Sequence, residues 1–201
     1  MLRVGLTGGL ATGKSFVGQA LAEMGCHLLQ ADRLGHEVLQ AGGEAFSAVV
    51  REFGAEILDQ DGSIDRRRLG QLVFGDAERL RRLNELVHPP VIEREEEWLR
   101  QVAAADPGAI AVVEAAILIE TGSYRRFDRI VLTVCSEEQQ IERAMKRDQL
   151  SREQVLERLK RQMPLEEKKR FAQFVVDTSG EKEHTLEQVR ALHGALRQID
   201  I

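Results

Sequence analysis

A glycine-rich stretch near the start of the chain has the residue types and spacing of a phosphate-binding loop. It fits the pattern G-x-x-x-x-G-K-[ST], with its fixed positions at Gly8, Gly13, Lys14 and Ser15. Glycines let backbone N–H groups approach phosphate oxygens, and the helix that follows directs the positive end of its dipole at the same place. The lysine reaches the β- and γ-phosphates, and the serine hydroxyl is a ligand for Mg²⁺. The alternative is a glycine-rich turn that matches the pattern by chance.

The flanking sequence predicts the elements that such a loop needs. Residues 2–6 form a short apolar run that is typical of a buried strand. The helix after the loop ends near Gly25. Its apolar face consists of Val17, Ala20, Leu21 and Met24.

Two acids follow predicted strands. Asp32 comes after the strand at 26–30, and Glu114 ends the apolar run at 109–114. Because ligands bind outside the carboxyl ends of parallel strands, we expect both acids at the same edge as the loop. Asp32 is a helix cap or a catalytic group, and the two roles can coexist. Glu114 holds Mg²⁺, directly or through water, or it is a buried carboxylate with a structural partner.

Two groups of arginines are candidates for phosphate contacts. Arg66 and the two arginines after it begin a predicted helix, where they hold a diphosphate or face solvent. Arg143 and Arg147 lie four residues apart on the helix after the fourth predicted strand. With Arg152 they either cover the phosphates as part of a mobile lid or belong to an exposed, salt-bridged helix.

Apolar runs alternate with helical patterns, which predicts an α/β fold with a doubly wound parallel sheet. The stretch 36–105 has helical periodicity and no convincing strand, and one of its helices is expected to end before Pro89. It is predicted to be a helical, substrate-binding insertion in a single domain. The five predicted strands are 2–6, 26–30, 109–114, 129–135 and 174–177. The predicted core comprises about 1–35, 106–140 and 170–201, and the predicted helical lid about 141–169.

Composition narrows the function classes further. A net charge of -5 and an aromatic content of 4% argue against nucleic acid as a partner. No apolar stretch is long enough to cross a bilayer, and no charged-then-apolar leader precedes the first strand. Cys26 and Cys135 are expected to pack in the core of a protein from the reducing cytoplasm. We expect no membrane partner, and a monomer or a weak homo-oligomer.

The ordered set of motifs resembles the dephospho-coenzyme A kinase family over nearly the whole chain. The loop alone indicates only a superfamily, whereas the set is much more specific. The matching positions are residues 5–9, Ala31-Asp32, Leu83-Asn84 with His88-Pro89, residues 114–120, Arg143 with Arg147-Asp148, Gln162, and residues 175–177 before Gly180.

The resemblance implies the fold of P-loop nucleoside and nucleotide kinases. It implies ATP-dependent phosphorylation of the ribose 3′-hydroxyl of dephospho-coenzyme A with Mg²⁺, which is the last step of coenzyme A biosynthesis. Asp32 then serves as general base, and Lys14 and Arg143 complete the catalytic set. The expected nucleotide-binding residues are Gly8, Gly9, Leu10, Ala11, Thr12, Gly13, Lys14, Ser15, Phe16 and Arg147. The expected substrate contacts are Asp32, Arg66, His88 and Glu114, and the expected metal ligands are Ser15 and Glu114.

Three positions depart from the family pattern. Gln30 stands where an acid is common, Phe16 replaces a small hydroxyl residue, and Ala11 replaces a usual glycine. Because alanine disfavours the left-handed region, we expect position 11 to need no positive φ.

Two other functions remain open at this stage. One is a P-loop kinase for another small molecule, a nucleoside or a nucleotide. The second is a P-loop binding switch, such as a regulatory GTPase, which would require an N-K-x-D segment that the sequence lacks.

Overall fold

The computed structural model describes residues 1–200, and its centre is a single sheet. All neighbouring strands are parallel, and their order is β2-β3-β1-β4-β5. The predicted α/β fold with a five-stranded parallel sheet is therefore confirmed. The strands are β1 (Leu2–Gly8), β2 (His27–Gln30), β3 (Ile110–Glu114), β4 (Arg129–Val134) and β5 (Phe174–Asp177).

Helices connect the strands, as parallel pairing requires. Three of these helices, α6 to α8, lie between β4 and β5, where the lid is predicted. The helices are α1 (Lys14–Glu23), α2 (Ala31–Glu37), α3 (Phe46–Phe53), α4 (Arg66–Phe74), α5 (Ala77–Ala105), α6 (Glu137–Asp148), α7 (Arg152–Leu159), α8 (Leu165–Lys168) and α9 (Lys182–Arg197).

The strand order places β1 at the point where the sheet changes direction. The chain adds β2 and β3 on one side of β1 and then β4 and β5 on the other side. In doubly wound sheets the ligand crevice lies at this switch point, outside the carboxyl ends of the strands. The loop that follows β1 is therefore in the usual position for ligand binding.

The chain forms two compact units. The first unit comprises 1–30 and 99–201, and the second comprises 31–98. In the first unit, Val17 and Leu21 of α1 and Val189 and Leu192 of α9 are buried in one cluster with the side chains of β1. This packing fixes the start of α1, which directly follows the loop.

The second unit is helical and has its own apolar core. Val49, Ile57 and Leu69 are buried there. Asp65 accepts hydrogen bonds from backbone N–H groups of the first turn of α4, and Asp76 does the same for α5. The division of the predicted fold into core, insertion and lid remains a prediction.

The expectation that a helix ends before Pro89 is wrong. Pro89 and Pro90 lie inside α5, which continues to Ala105. A proline removes one helical hydrogen bond and its ring clashes with a preceding carbonyl, so such a helix needs other support. Leu86 and Val91, on either side of the prolines, both pack against the apolar core of the second unit. This packing holds the helix together across the pair.

Among residues 1–200, no helix combines the length and the apolar character that a membrane span requires.

Candidate active site

The phosphate loop lies between the last residue of β1, Gly8, and the first residue of α1, Lys14. The Lys14 ammonium donates to the Gly9 carbonyl at 2.9 Å, and the Thr12 hydroxyl donates to the same carbonyl at 3.0 Å. Gly8 permits no side chain, because a Cβ there would collide with the buried hydroxyls of Thr12 and Thr133. The loop therefore bends tightly around its own carbonyl groups.

The expectation that position 11 needs no positive φ is wrong. Ala11 has a φ of 55°, in the left-handed region, and Gly13 has a φ of 82°. Left-handed residues within such a loop help to turn successive N–H groups toward one concave side, where an anion binds. The alanine therefore adopts a conformation that usually favours glycine, at a cost in backbone energy.

Ser15 and Glu114, the two predicted metal ligands, lie in direct contact. The Ser15 hydroxyl donates to Glu114 Oε1 at 2.6 Å, and the Gln30 amide donates to Glu114 Oε2 at 3.2 Å. Glu114 is the last residue of β3, the strand that lies between β1 and β2 in the sheet, and only 5% of the residue is exposed. An acid at position 30 would place a second carboxylate beside Glu114, so the glutamine leaves the Glu114 charge better compensated.

A hydroxyl beside a carboxylate suits Mg²⁺, which binds proteins through one or two carboxylates and keeps waters and substrate phosphates as its other ligands. Within the described part of the chain, no group of three or more His, Cys, Asp or Glu side chains has the geometry of a metal site. The pair fits a magnesium ion that arrives with a nucleotide rather than one caged by protein ligands.

Arg143 is linked to the phosphate loop through Thr178. Its guanidinium donates to the Thr178 hydroxyl at 3.1 Å and to the Thr178 carbonyl at 2.7 Å. The Thr178 hydroxyl in turn donates to the carbonyl of Thr12 at 2.9 Å. Arg147 differs, since it is exposed and pairs with Asp148. The two arginines have different partners, although they lie one helical turn apart.

A buried lysine that the sequence analysis missed also contacts the loop. Lys168, the last residue of α8, is fully buried, and its ammonium donates to the Gly8 carbonyl at 3.2 Å. The same ammonium donates to the carbonyl of Ala116 at 3.0 Å and pairs with Glu120 at 2.8 Å. The only sequence signal for this cluster was the resemblance motif that includes Glu120.

A cavity of about 760 Å³ lies next to the loop. Its lining includes Gly9 of the loop and, from the predicted lid, Leu159, Gln162 and Pro164. Asp177 at the end of β5 lines it as well. The volume lies within the range of small-molecule sites, which makes the cavity a candidate for the nucleoside part of a nucleotide.

In the second unit, Asp32, His36 and Arg66 form a charged group. Asp32 lies in the first turn of α2, and Arg66 Nη2 lies 2.6 Å from His36 Nε2. Burial and the Arg66 charge lower the pKa of His36, whereas the nearby Asp32 opposes this shift. A neutral His36 can accept the guanidinium hydrogen.

His88 lines a separate groove of the second unit. The groove has a volume of about 550 Å³, and Leu80, Asn84 and Pro89 are among its other lining residues. Burial lowers the pKa of His88 below its ordinary value, which favours the neutral ring at neutral pH.

The two cysteines are free and buried. Burial raises the pKa of Cys26 to about 11 and also raises that of Cys135. Thiols in this state are poor nucleophiles, so both cysteines serve packing, as the sequence predicts.

A parallel sheet of this order, with a phosphate loop after β1 and a hydroxyl–carboxylate pair beside it, defines a P-loop protein of the nucleotide-dependent kinase class. The family model described as dephospho-CoA kinase matches residues 2–184. The chain belongs to the dephospho-CoA kinase family, which confirms the resemblance found in the sequence.

Similar proteins extend over the same length. The dephospho-CoA kinase of Aquifex aeolicus is 38% identical over 196 residues, with 98% of each chain covered. That of Carboxydothermus hydrogenoformans is 39% identical over 186 residues, covering 92% of this chain and 90% of the relative. A crystal structure of a Thermus thermophilus protein has a TM-score of 0.83 at 33% identity, covering 100% of this chain and 98% of that one. A dephospho-CoA kinase from Campylobacter jejuni shares the fold, with a TM-score of 0.72 at 23% identity and coverage of 98% and 97%.

Proposed function

We propose that this protein transfers the γ-phosphoryl group of ATP to the ribose 3′-hydroxyl of dephospho-coenzyme A, which yields coenzyme A and ADP. The match of the dephospho-CoA kinase family model to residues 2–184 carries this proposal. Membership in a kinase family implies ATP as the co-substrate. The phosphate loop after β1 supplies the physical basis for binding its triphosphate.

On the nucleotide side, the loop N–H groups and the Lys14 ammonium bind the phosphates, and the adjoining 760 Å³ cavity receives the nucleoside. Ser15 and Glu114 would hold Mg²⁺, Glu114 directly or through water. The ion, when bound, offsets the negative charge that spreads over the transferring group. Arg143 approaches the same loop through Thr178 and adds a fixed positive charge.

On the acceptor side, Asp32 accepts the proton of the 3′-hydroxyl as the oxygen attacks the γ-phosphorus. The bond between this phosphorus and the ADP oxygen breaks as the new one forms, and ADP leaves. Asp32 follows Gln30, the last residue of β2, by two residues, which favours a place near the carboxyl ends of the strands. Arg66 and His88 are proposed to bind other parts of the acceptor.

A kinase must also keep water away from the activated phosphate. The helices α6 to α8, between β4 and β5, are proposed as the lid that closes over the nucleotide, with Arg143 and Arg147 on it. The reaction is proposed to occur in a reducing compartment, the cytoplasm, because both cysteines are free thiols.

The decisive measurement is ADP release by a coupled assay, with and without dephospho-coenzyme A. The proposal requires release that depends on this acceptor, and a panel of nucleosides and nucleotides must give little. A nucleoside that outperforms dephospho-coenzyme A would identify another small-molecule kinase. Much tighter binding of GTP than of ATP would instead favour a binding switch.

The role of Asp32 is tested by Asp32→Asn, which keeps the side-chain shape and removes the proton acceptor. We expect unchanged ATP affinity and a loss of turnover of about 100-fold or more, within the range of general-base effects. Glu37→Gln is the matched control, because it removes a carboxylate from the same helix that pairs only at the surface with Arg94. Near-full kcat in Asp32→Asn would exclude the general-base role.

A further inference from the structure

Lys168 is a fully buried ammonium group in a short helix of the first unit. Taking such a charge out of water is unfavourable unless oxygen atoms surround it. Here three oxygens do so, from the carbonyls of Gly8 and Ala116 and from the carboxylate of Glu120. An apolar side chain of similar size would fill this space with less desolvation cost, so the lysine is more than a packing residue.

Its partners belong to the segments that carry the phosphate and metal groups. Gly8 is the first residue of the phosphate loop, and Ala116 follows Glu114 by two residues. The Thr7 hydroxyl donates to the same Ala116 carbonyl at 3.3 Å. One ammonium therefore joins the end of β1 to the chain that leaves β3.

The segment just before Lys168 is hydrogen-bonded to the loop at a second point. The Gln162 side chain accepts the N–H of Leu10 at 2.8 Å. The N–H of Met163 donates to Glu120 at 3.2 Å. Residues 162–168 thus hold the loop on both sides of Gly9, the residue whose carbonyl accepts from Lys14.

We propose that Lys168, with Glu120 as its counterion, is a positioning residue for phosphoryl transfer. It fixes the spacing between the phosphate loop and Glu114 through backbone carbonyls alone, without contacting the substrates. Because residues 162–168 end the predicted lid, it also anchors that end of the lid to the loop. The proposal rests on the proposed function in its use of a kinase reaction, although the loop geometry serves any nucleoside triphosphate.

The test compares the wild type with Lys168→Met, with Glu120→Gln and with the double variant that carries both substitutions. Lys168→Met keeps an unbranched side chain of similar length and removes the donors. We expect kcat to fall about 100-fold, as misplacement of reacting groups by about 1 Å does, while the KM for dephospho-coenzyme A changes by less than about twofold. If the pair acts as a unit, the double variant loses no more kcat than Lys168→Met alone. Arg190→Met, which replaces an exposed basic residue of α9 outside the predicted lid, is the control and keeps wild-type kcat.

A merely structural lysine would lower the melting temperature and leave the kcat of the folded enzyme unchanged, and this result would overturn the proposal. The kcat is therefore measured well below the melting temperature of each variant. Lys168→Met removes the ion-pair partner of Glu120, which keeps only the hydrogen bond from the Met163 N–H, so it has the greater risk of misfolding, and the double variant removes the Glu120 charge as well. If neither variant folds, Lys168 is needed for folding itself and the positioning role is refuted.

Calorimetry of ADP binding with Mg²⁺ separates this proposal from the proposed function. Lys168→Met must weaken the binding of ADP at least about tenfold, because the loop that binds its phosphates loses an anchor, and Arg190→Met must not weaken it. If the wild type fails to phosphorylate dephospho-coenzyme A, the proposed function is wrong, whereas the ADP affinities still decide the role of Lys168. Equal ADP affinity in wild type and Lys168→Met would reject the inference.

Discussion

Replacing Ala11 by glycine should stabilise the protein, although glycine usually destabilises. The φ of Ala11 is 55°, and a left-handed conformation costs a residue with a Cβ about 1–2 kcal/mol. Glycine removes this cost but makes the unfolded chain more flexible, which lowers the gain in the free energy of unfolding by about 0.4–1 kcal/mol. The Ala11 methyl is half-buried against the apolar cluster of α6 and α7, so its loss lowers the gain by a further amount of about 0.4 kcal/mol.

The net expectation for Ala11→Gly is a gain of about 0.5 kcal/mol in the free energy of unfolding. For a chain of this length, that gain raises the melting temperature by about 1–2 °C. Differential scanning calorimetry at constant pH and protein concentration measures the shift.

Two matched variants give the small shift a scale. Gln149, at the end of α6, has a φ of 54° and is exposed, so Gln149→Gly should stabilise somewhat more than Ala11→Gly. Ala191 is exposed inside α9, where glycine costs about 1 kcal/mol relative to alanine. A melting temperature of Ala11→Gly that falls as far as that of Ala191→Gly would refute the reasoning about backbone strain in the loop.

Three further predictions concern charge. Lys14→Ala should weaken ATP binding and turnover together, because its ammonium is proposed to contact the phosphates; binding and ADP-release assays measure both. Glu114→Gln keeps an acceptor for Ser15 but loses its charge, so a magnesium titration should show a higher requirement and about 100-fold lower turnover. Lowering the pH from about 7.5 to about 5.5 should reduce the melting temperature, and His88→Gln should reduce this loss. The pKa of His88 is lower in the folded state than in the unfolded chain. As the pH falls, the unfolded chain therefore binds the proton at a higher pH than the folded protein does. The stability that is present above about pH 6.5 is lost as a result.

Each of these expectations has a contrary outcome. An unchanged rate in Lys14→Ala would count against the phosphate loop. An unchanged magnesium requirement in Glu114→Gln would leave Glu114 as a structural partner of Ser15 and Gln30. An equal pH-dependent loss in wild type and His88→Gln would mean that another group titrates.

The parts of the fold that the sequence predicted well depend on local signals. The strand at 174–177 has the predicted bounds, and the helix predicted to begin at Arg66 is α4. Apolar runs, caps and glycines act within a few residues, so their effects are legible in the sequence. The Ser15–Glu114 contact could also be predicted from the sequence, because adjacent parallel strands bring their carboxyl ends to one edge of the sheet.

The errors arise where tertiary packing outweighs a local rule. Pro89 and Pro90 break a helix on local grounds, yet apolar contacts on both sides of them keep α5 continuous. Ala11 is unfavourable in the left-handed region, yet the loop between β1 and α1 imposes that conformation. For the two prolines, the deciding contacts are with core residues that are distant in sequence.

Lys168 was missed for a different reason. It stands in a run of charged residues that reads as solvent-facing surface, and its partner Gly8 is 160 residues away in the chain. Two of its three acceptors are backbone carbonyls. Because every residue has a backbone carbonyl, the residue types in the sequence do not indicate these contacts. The resemblance did include Gln162 and Glu120 but gave no reason for either. Their hydrogen bonds supply one: Gln162 holds the N–H of Leu10, and Glu120 joins Lys168 to Met163. A family motif without an evident chemical role can therefore identify groups that hold a catalytic loop in place.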